Sequence, residues 1–537
     1  MTYRLVFLLA VAGCGPASPL PVEQTSHGSG PAPVLVASFD GLGVGFDGPQ
    51  GPAATRNPSD NSLAVGPDHV IQTVNTRMAI FDRTGQVLYG AAEIRNVFRG
   101  FGGPCEEFNN GDTVVRYDQL ADRWLVVMPI FRRLPRRADE PPTPTSADGV
   151  VVSQVGNPDQ PGPAVRLHIP TRPTPQEISV AEEARRLARQ QPRGDGSYAM
   201  CYAISTSSDP FGTWHRYEFV RPLFPDYPRP AVWPDGYYVP TSTGDNVIEK
   251  HACVVDRSAM LKGEPASEQC IIVDDVNFLN NADLDGRQLP PPGAPNIMLA
   301  TGGSQLTGVT RDSTVLAWNY HVDWDDPSKT HLTGPTHVPV EPYDFLCGGQ
   351  LTECVPQPGV DQRIDSQGDK IMARLVYRRI GRQESVVGVH SVATTLGTGG
   401  VRWYEFRVGA DRAIDLHQQG TLAPDSSYRW MASPAMDGFG NIGIGYSFGS
   451  ATQFPGQRFA GRTPEDPLGR LGLREAVLVD GEASQTTTLR WEDYTQTAVD
   501  PVDDCTIWYV GDYLKEGATL YSTRIGAYRL PGCGQGE

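Results

Sequence analysis

The sequence predicts an all-β protein, a β-propeller of seven blades with one Pro-rich insertion that holds a short helix. Three observations predict it: a strand–turn–strand unit recurs seven times, Gly and Pro are abundant, and only one stretch shows helical spacing. The 58 Gly and 47 Pro suit many short strands joined by tight turns. Each unit runs a strand of alternating or continuous apolar residues into an Asp/Gly/Pro turn. A second strand rich in aromatic and β-branched residues follows. The units are SLAVGPDHVIQTVN (62–75), TVVRYDQLADRWLVVM (113–128), PAVWPDGYYVPTS (230–242), QRIDSQGDKIMARLVYR (362–378), RWMASPAMDGFGNIGIGYS (429–447) and YTQTAVDPVDDCTIWYV (494–510). A weaker copy lies within 294–322. A small antiparallel sheet cannot bury both faces alone, and radial stacking of such sheets solves that. Two tandem β-sandwiches are disfavoured, because no linker divides the middle of the chain.

One gap between units is long. Residues 133–199 are poor in strand signal and Pro-rich at each end, and ISVAEEARRLARQ (178–190) has roughly helical spacing. The expectation is an insertion that projects from the ring, with one short helix. The propeller domain as a whole is expected over 34–537.

The amino-terminus reads as an export signal. Arg4 precedes the apolar run LVFLLAVA, and Val11-Ala12-Gly13-Cys14 places small residues before a cysteine. That run is far short of the roughly 20 residues needed to span a bilayer. It resembles the lipobox of bacterial lipoproteins, which implies a signal peptide over 1–13 and acyl chains on Cys14. Gly15 follows the cysteine, so the sorting rule for such proteins points to the outer membrane of a Gram-negative cell. Residues 14–33, rich in Pro, Gly and Ser, are expected to be a flexible tether.

Setting Cys14 aside leaves eight cysteines, and an even number in an exported chain favours disulfides over metal ligation. Nearest-neighbour pairing gives Cys253–Cys270, Cys347–Cys354 and Cys505–Cys533, which leaves Cys105–Cys201; eight cysteines allow 105 pairings in all. The net charge of −17, with no basic run longer than FRRLPRR (131–137), excludes nucleic-acid binding as a main role.

Several stretches resemble a family of large secreted bacterial proteins that look like propellers and have no established activity. They include DNSLAVGPDHVIQTVNT, GFGGPCEEFNNGDTVVRYDQLADRWLV, FPDYPRPAVWPDGYY, PPPGAPN, VPQPGVDQRIDSQGDKIMARLVYR, APDSSYRWMASPAMDGFGNIGIGYS and RWEDYTQTAVDPVDDCTIWY. The resemblance runs from about residue 55 to the end, outside 133–199, and implies fold and export but no chemistry. Glu492 departs from it, standing where glycine is expected.

Candidate chemistry is sparse. Asp60, Asp112, Asp226, Asp361 and Asp493 each precede the turn Asp of a unit by about six to nine residues. In a propeller this places them where inner strands begin, near the mouth of the central channel. Converging carboxylates suit Ca²⁺, which takes six to eight oxygen ligands, or a cationic ligand; the plainer reading has each Asp capping its own turn. NADLDG (281–286) is a weaker calcium candidate that lacks the full loop spacing. STSSDPFGTW (205–214) is close to the Asp-box of sialidase-type propellers, a structural hairpin motif. The acidic pairs Glu106-Glu107, Asp274-Asp275 and Asp503-Asp504 suit loop solvation better than glycosidase chemistry. No nucleophile-elbow or zinc-protease motif is present in the sequence. The expectation is therefore a monomeric, lipid-tethered binding module for a glycan, peptide or partner protein, without nucleic acid. The alternatives are a polysaccharide-active hydrolase or lyase with carboxylates at the funnel, and a structural envelope component.

Overall fold

A computed structural model describes residues 22–53, 56–136, 140, 143–153, 160–180, 183, 194–242, 250–302, 313–349 and 352–534. The protein is all-β. The strands form one nine-stranded, two five-stranded, three four-stranded and two two-stranded sheets. Most are meanders in which sequence neighbours pair antiparallel.

The first sheet runs Ser62–Val65, His69–Val74, Arg77–Asp82 and Val87–Glu93 in order. A second meander uses Val114–Asp118, Arg123–Ile130, Tyr198–Ser205 and Thr213–Arg221, and a third begins with Ala231–Val232 and ends with Glu268–Val273. The nine-stranded sheet joins two meanders, 280–339 and 375–422, through the parallel pairing of Asn280–Asp285 with Leu375–Ile380. Tyr428–Met436 opens the next sheet, and Gln496–Val499 the last. The first strands lie side by side in chain order, and Gln496–Val499 packs back against Ser62–Val65, so the set closes on itself.

Apolar cores fill the spaces between neighbouring sheets. Leu63, Val70 and Phe81 meet Trp508, Val510 and Ile525 in one such layer. Ile71, Met78 and Ile80 meet Val115, Trp124 and Val126 in the next. Because both faces are covered, His69–Val74 and Arg77–Asp82 are almost wholly buried, which explains their continuous rather than alternating apolar runs.

Several expectations need correction. Val34–Asp40 pairs antiparallel with Ser522–Arg529, so the last sheet is completed by residues from the far end of the chain. The unit sought in 294–322 supplies second and third strands, Asn296–Thr301 and Thr314–His321; the first strand is Asn280–Asp285, upstream. Residues 22–33 are not a free tether. Glu23–Gln24 pairs parallel with Thr421 and Leu422, Glu23 accepts hydrogen bonds from Thr395 N (2.9 Å) and Oγ1 (2.6 Å), and Gln24 bonds the backbone of Leu471 in both directions. Cys14 lies outside the described residues.

The insertion does not simply project. Val150–Ser153 adds an edge strand against Glu268–Val273, and Val165–Arg166 another against the strand that begins at Thr213. Both edges would otherwise present unpaired backbone groups. Residues 175–180 are helical, and most of the helix expected over 178–190 lies outside the described residues. The four disulfides are Cys105–Cys201, Cys253–Cys270, Cys347–Cys354 and Cys505–Cys533.

Candidate functional site: a carboxylate-lined cavity where the first strands begin

The chain enters most first strands through a residue with left-handed backbone. Asp60 (φ 52°), Asp112 (φ 57°), Tyr227 (φ 51°), Gln367 (φ 45°), Glu492 (φ 54°) and Asp493 (φ 70°) recur at this place, and Met431 (φ 50°) repeats the conformation inside its own first strand. The conformation costs on the order of 1 kcal/mol or more for a side-chain-bearing residue, least for Asp and Asn. It explains why glycine is the natural residue at 492. Glu492 is tolerated because its buried carboxyl accepts from Ser447 Oγ (2.8 Å), Gln457 Nε2 (2.9 Å) and Asp512 N (2.6 Å).

These entries turn side chains into a cavity of about 190 Å³, lined by Asp60, Asp112, Asp226, Asp493, Lys370 and Arg490, with Tyr227 and Phe278 as its aromatic wall. Four of the five aspartates expected at the mouth therefore share one cavity. The fifth does not. Asp361 is exposed on the strand Val360–Ile364 of a separate two-stranded hairpin, and the cavity instead receives Gln367 and Lys370 from the loop that follows. The hairpin interposes residues between the Asp and its first strand, so equal spacing in sequence does not give equal position in space.

The charges fall into two halves. On one, Arg490 pairs with Asp493, which also accepts from Gln367 Nε2 at 3.0 Å, and Lys370 Nζ sits 2.5 Å from an Asp369 oxygen and a Gln367 oxygen. On the other, Asp60 Oδ2 accepts from Asn75 Nδ2 (2.8 Å) and Asp112 N (3.3 Å), and Asp112 Oδ2 accepts from Tyr227 N (3.2 Å). Asp60 is 1% exposed, and its Oδ1 has no hydrogen-bond partner. Burial, then the neighbouring Asp112 and Asp493 charges, push the Asp60 carboxyl well above the usual carboxylate range. Burial, then Asp226 and Asp493, do the same to Asp112.

A different polar cluster lies between the first strands themselves. Asp283 Oδ2 accepts from Arg374 Nε (2.8 Å) and lies 3.2 Å from Arg116 Nε, while Arg374 also reaches Asp285. The remaining space there is about 30 Å³, room for roughly one water. Burial alone would lower the Arg374 pKa, and Asp285 and Asp283 outweigh it, holding the guanidinium above its ordinary value. The NADLDG carboxylates thus serve two arginines, and a calcium loop is not what they form. The Asp-box-like segment is a hairpin turn between outer strands, in which Asp209 Oδ1 accepts from Phe211 N and buried Trp214 donates to Pro210 O.

Among the described residues, two groups of three His, Cys, Asp or Glu side chains bring their ligand atoms within 4.8 Å of one another. They are His251 with Cys253 and Cys270, and Asp503 with Cys505 and Cys533. In both the sulfurs are committed to a disulfide, which removes them as thiolate ligands. At the mouth, no three carboxylates converge that tightly.

No protein-family model matches the sequence, and no curated relative does. The chain is similar in structure to a protein of unknown function from Dyadobacter fermentans (TM-score 0.35, 9% identity, covering 93% of this chain and all of the other). It is also similar to the polysaccharide lyase Uly1 (TM-score 0.37, 10% identity, 94% and 100% covered) and to the WD40 domain of SCAP from fission yeast (TM-score 0.32, 9% identity, 95% and 97% covered). Likenesses this distant carry no argument about activity or substrate.

Proposed function

We propose that the meanders are the blades of one seven-bladed propeller, with the nine-stranded sheet counted as two blades, and that the protein is a glycan-binding module held at the outer membrane by lipid on Cys14. The cyclic order of first strands and the return of Val34–Asp40 to the last sheet support the ring. The observation that carries the function is the polar cavity at the ring's mouth. It offers carboxylate acceptors (Asp60, Asp112, Asp226), cationic donors (Lys370, Arg490) and the Tyr227 and Phe278 rings within about 190 Å³. Carbohydrate hydroxyls donate and accept at once, and ring C–H faces pack on aromatic surface, so this mixture suits one sugar unit. The volume lies below the roughly 300–1,000 Å³ of pockets for drug-sized ligands, which argues for a terminal unit rather than an extended chain.

A carboxylate-pair glycosidase fits less well. Asp60 and Asp112 each commit an oxygen to donors within the fold, Asn75 Nδ2 and Asp112 N on Asp60 and Tyr227 N on Asp112, which suits structural or ligand-accepting carboxylates better than an acid–base pair. The test is a glycan array probed with the full chain, followed by incubation of every bound glycan with fresh protein. Retention of glycans with unchanged reducing ends supports the reading. Turnover replaces it with the hydrolase or lyase alternative, and an array with no retained glycan overturns it.

A further inference from the structure

The Cys253–Cys270 bridge has an unpartnered histidine beside it. His251 precedes Cys253 by two residues on the strand Lys250–Val255, and alternate residues of a strand share a face. Cys270 is the direct cross-strand partner of Cys253. One imidazole and two sulfurs therefore stand on the same face, and their ligand atoms lie within 4.8 Å of one another. All three residues are fully buried, at 0% exposure. Neither His251 Nδ1 nor Nε2 has a hydrogen-bond partner. A buried imidazole ordinarily donates from one ring nitrogen and accepts at the other, so a position that served packing alone is better filled by an apolar side chain. An oxygen is also close. Ser153 Oγ, on the insertion strand Val150–Ser153, is 3.5 Å from Cys270 Sγ.

We infer that His251, Cys253 and Cys270 form a redox-gated Zn²⁺ site, closed while the bridge stands and opened when a dithiol reductant cleaves it. Cleavage of the S–S bond takes two electrons and two protons from the dithiol, which leaves as its own disulfide. Zn²⁺ then displaces the two thiol protons and forms two Zn–S bonds, and His251 donates a nitrogen lone pair. Zn–S and Zn–N bonds of about 2.3 and 2.0 Å set tetrahedral ligands about 3.5–3.8 Å apart, so the three atoms need to move little. The fourth position falls to Ser153 Oγ or to a water beside it. Charge balances too: two thiolates and Zn²⁺ sum to zero, and a neutral centre is what a wholly buried site tolerates. Thiolate and imidazole together select zinc over Ca²⁺ and Mg²⁺, which take oxygen ligands. Access comes from the sheet edge. Val150–Ser153, which covers the strand that carries Cys270, is only 4 residues long, and its Val152 is 46% exposed. So short an edge strand opens locally at low cost. The site does not depend on the glycan reading.

The experiment titrates the full chain with Co²⁺ in place of Zn²⁺, before and after reduction by a phosphine, which cleaves the bridges without competing for the metal. Tetrahedral d–d bands and thiolate-to-cobalt charge transfer report the ligands, and added Zn²⁺ bleaches them. Zn²⁺-displaceable bands are expected in the reduced chain and none in the oxidised one. His251→Ala weakens binding about tenfold or more, and the Cys253→Ser/Cys270→Ser double variant abolishes the bands. The Cys505→Ser/Cys533→Ser double variant, which removes the bridge beside Asp503, leaves them unchanged. Bands in the oxidised chain, bands that survive loss of Cys253 and Cys270, bands lost with Cys505 and Cys533, or equal affinity in His251→Ala each overturn the site. Circular dichroism follows every sample. A reduced chain that stays folded without bands overturns the site, and so does one that unfolds and is not refolded by Zn²⁺. If the Cys253→Ser/Cys270→Ser variant does not fold, His251→Ala decides; if neither folds, the reduced parent chain and the Cys505→Ser/Cys533→Ser variant decide.

Discussion

Two polar clusters among the first strands use the same residue types to opposite ends. In the lower one, Asp283 and Asp285 meet Arg374 and Arg116, and every carboxylate faces a guanidinium. In the upper one, Asp60 takes Asn75 Nδ2 and the Asp112 backbone N–H, and Asp112 takes the Tyr227 backbone N–H. Asp60, Asp283 and Asp285 are buried, whereas Asp112 keeps partial exposure. Aspartates near the same strand starts thus meet different partners, guanidinium groups in one cluster and amide and backbone donors in the other. The lower cluster ties neighbouring first strands together. In the upper one the cations of the cavity, Arg490 and Lys370, pair with Asp493 and Asp369, and Arg490 acts on Asp60 only from a distance.

The largest expected effect breaks the lower cluster. Arg374→Met strands Asp283 and Asp285 without their main partner and should cost about 3–5 kcal/mol, read as a lower urea midpoint with unchanged slope. Next comes pH. Burial raises Asp512 from the ordinary 3.8 to about 8, and burial with the Asp493 charge raises Asp365 to about 7. A raised folded-state pKa means that the native protein keeps a proton the unfolded chain has released. The stabilisation is complete below about pH 4 and is lost as pH climbs through 7 and 8, by an amount on the order of a few kcal/mol. Urea midpoints measured from pH 5 to 9 should fall, and Asp512→Asn should flatten much of the slope. A midpoint that rises across that range would contradict the burial of these groups.

Smaller effects sharpen the upper cluster. Asp60→Asn keeps a residue suited to left-handed backbone and replaces a buried carboxyl with an amide. It should leave stability equal or raise it by about 1 kcal/mol at pH 8, read as the urea midpoint. A loss of stability like that of Arg374→Met would place Asp60 with the structural aspartates instead. Asp361→Asn is the control, expected within about 0.5 kcal/mol of the parent.

Much of this architecture was legible from local pattern. Paired strands joined by Asp/Gly turns are visible because turn geometry demands particular residues, as at Asp82, whose Oδ1 accepts from Thr84 N and Gln86 N. The economical cysteine pairing coincides with the disulfides because three bonds join near neighbours in sequence, and for Cys253 and Cys270 the two residues are direct cross-strand partners. Other features carried no local signal. The Asp361 expectation failed because an interposed hairpin shifts register, which repeat spacing cannot reveal. The functions of Lys370 and Gln367 at the mouth were missed for the same reason, although DSQGDK holds the polar cluster that an inspection of every unit start would have found. Nothing in VLVASFD separates a strand that opens a ring from one that completes its last sheet.

What the sequence by itself determined is the local part: strands where apolar and β-branched residues run, turns where Asp and Gly permit left-handed backbone, and cysteines enough for four bridges. Only the tertiary structure decided which aspartates share a cavity, which are met by arginine, and that strands within residues 22–40 pair with strands from the far end of the chain. Backbone preferences act over a few residues, whereas these outcomes are contacts between segments as much as 450 residues apart, such as Asn61 with Asp512 and Gln24 with Leu471. They are settled by packing and charge compensation once the sheets have assembled.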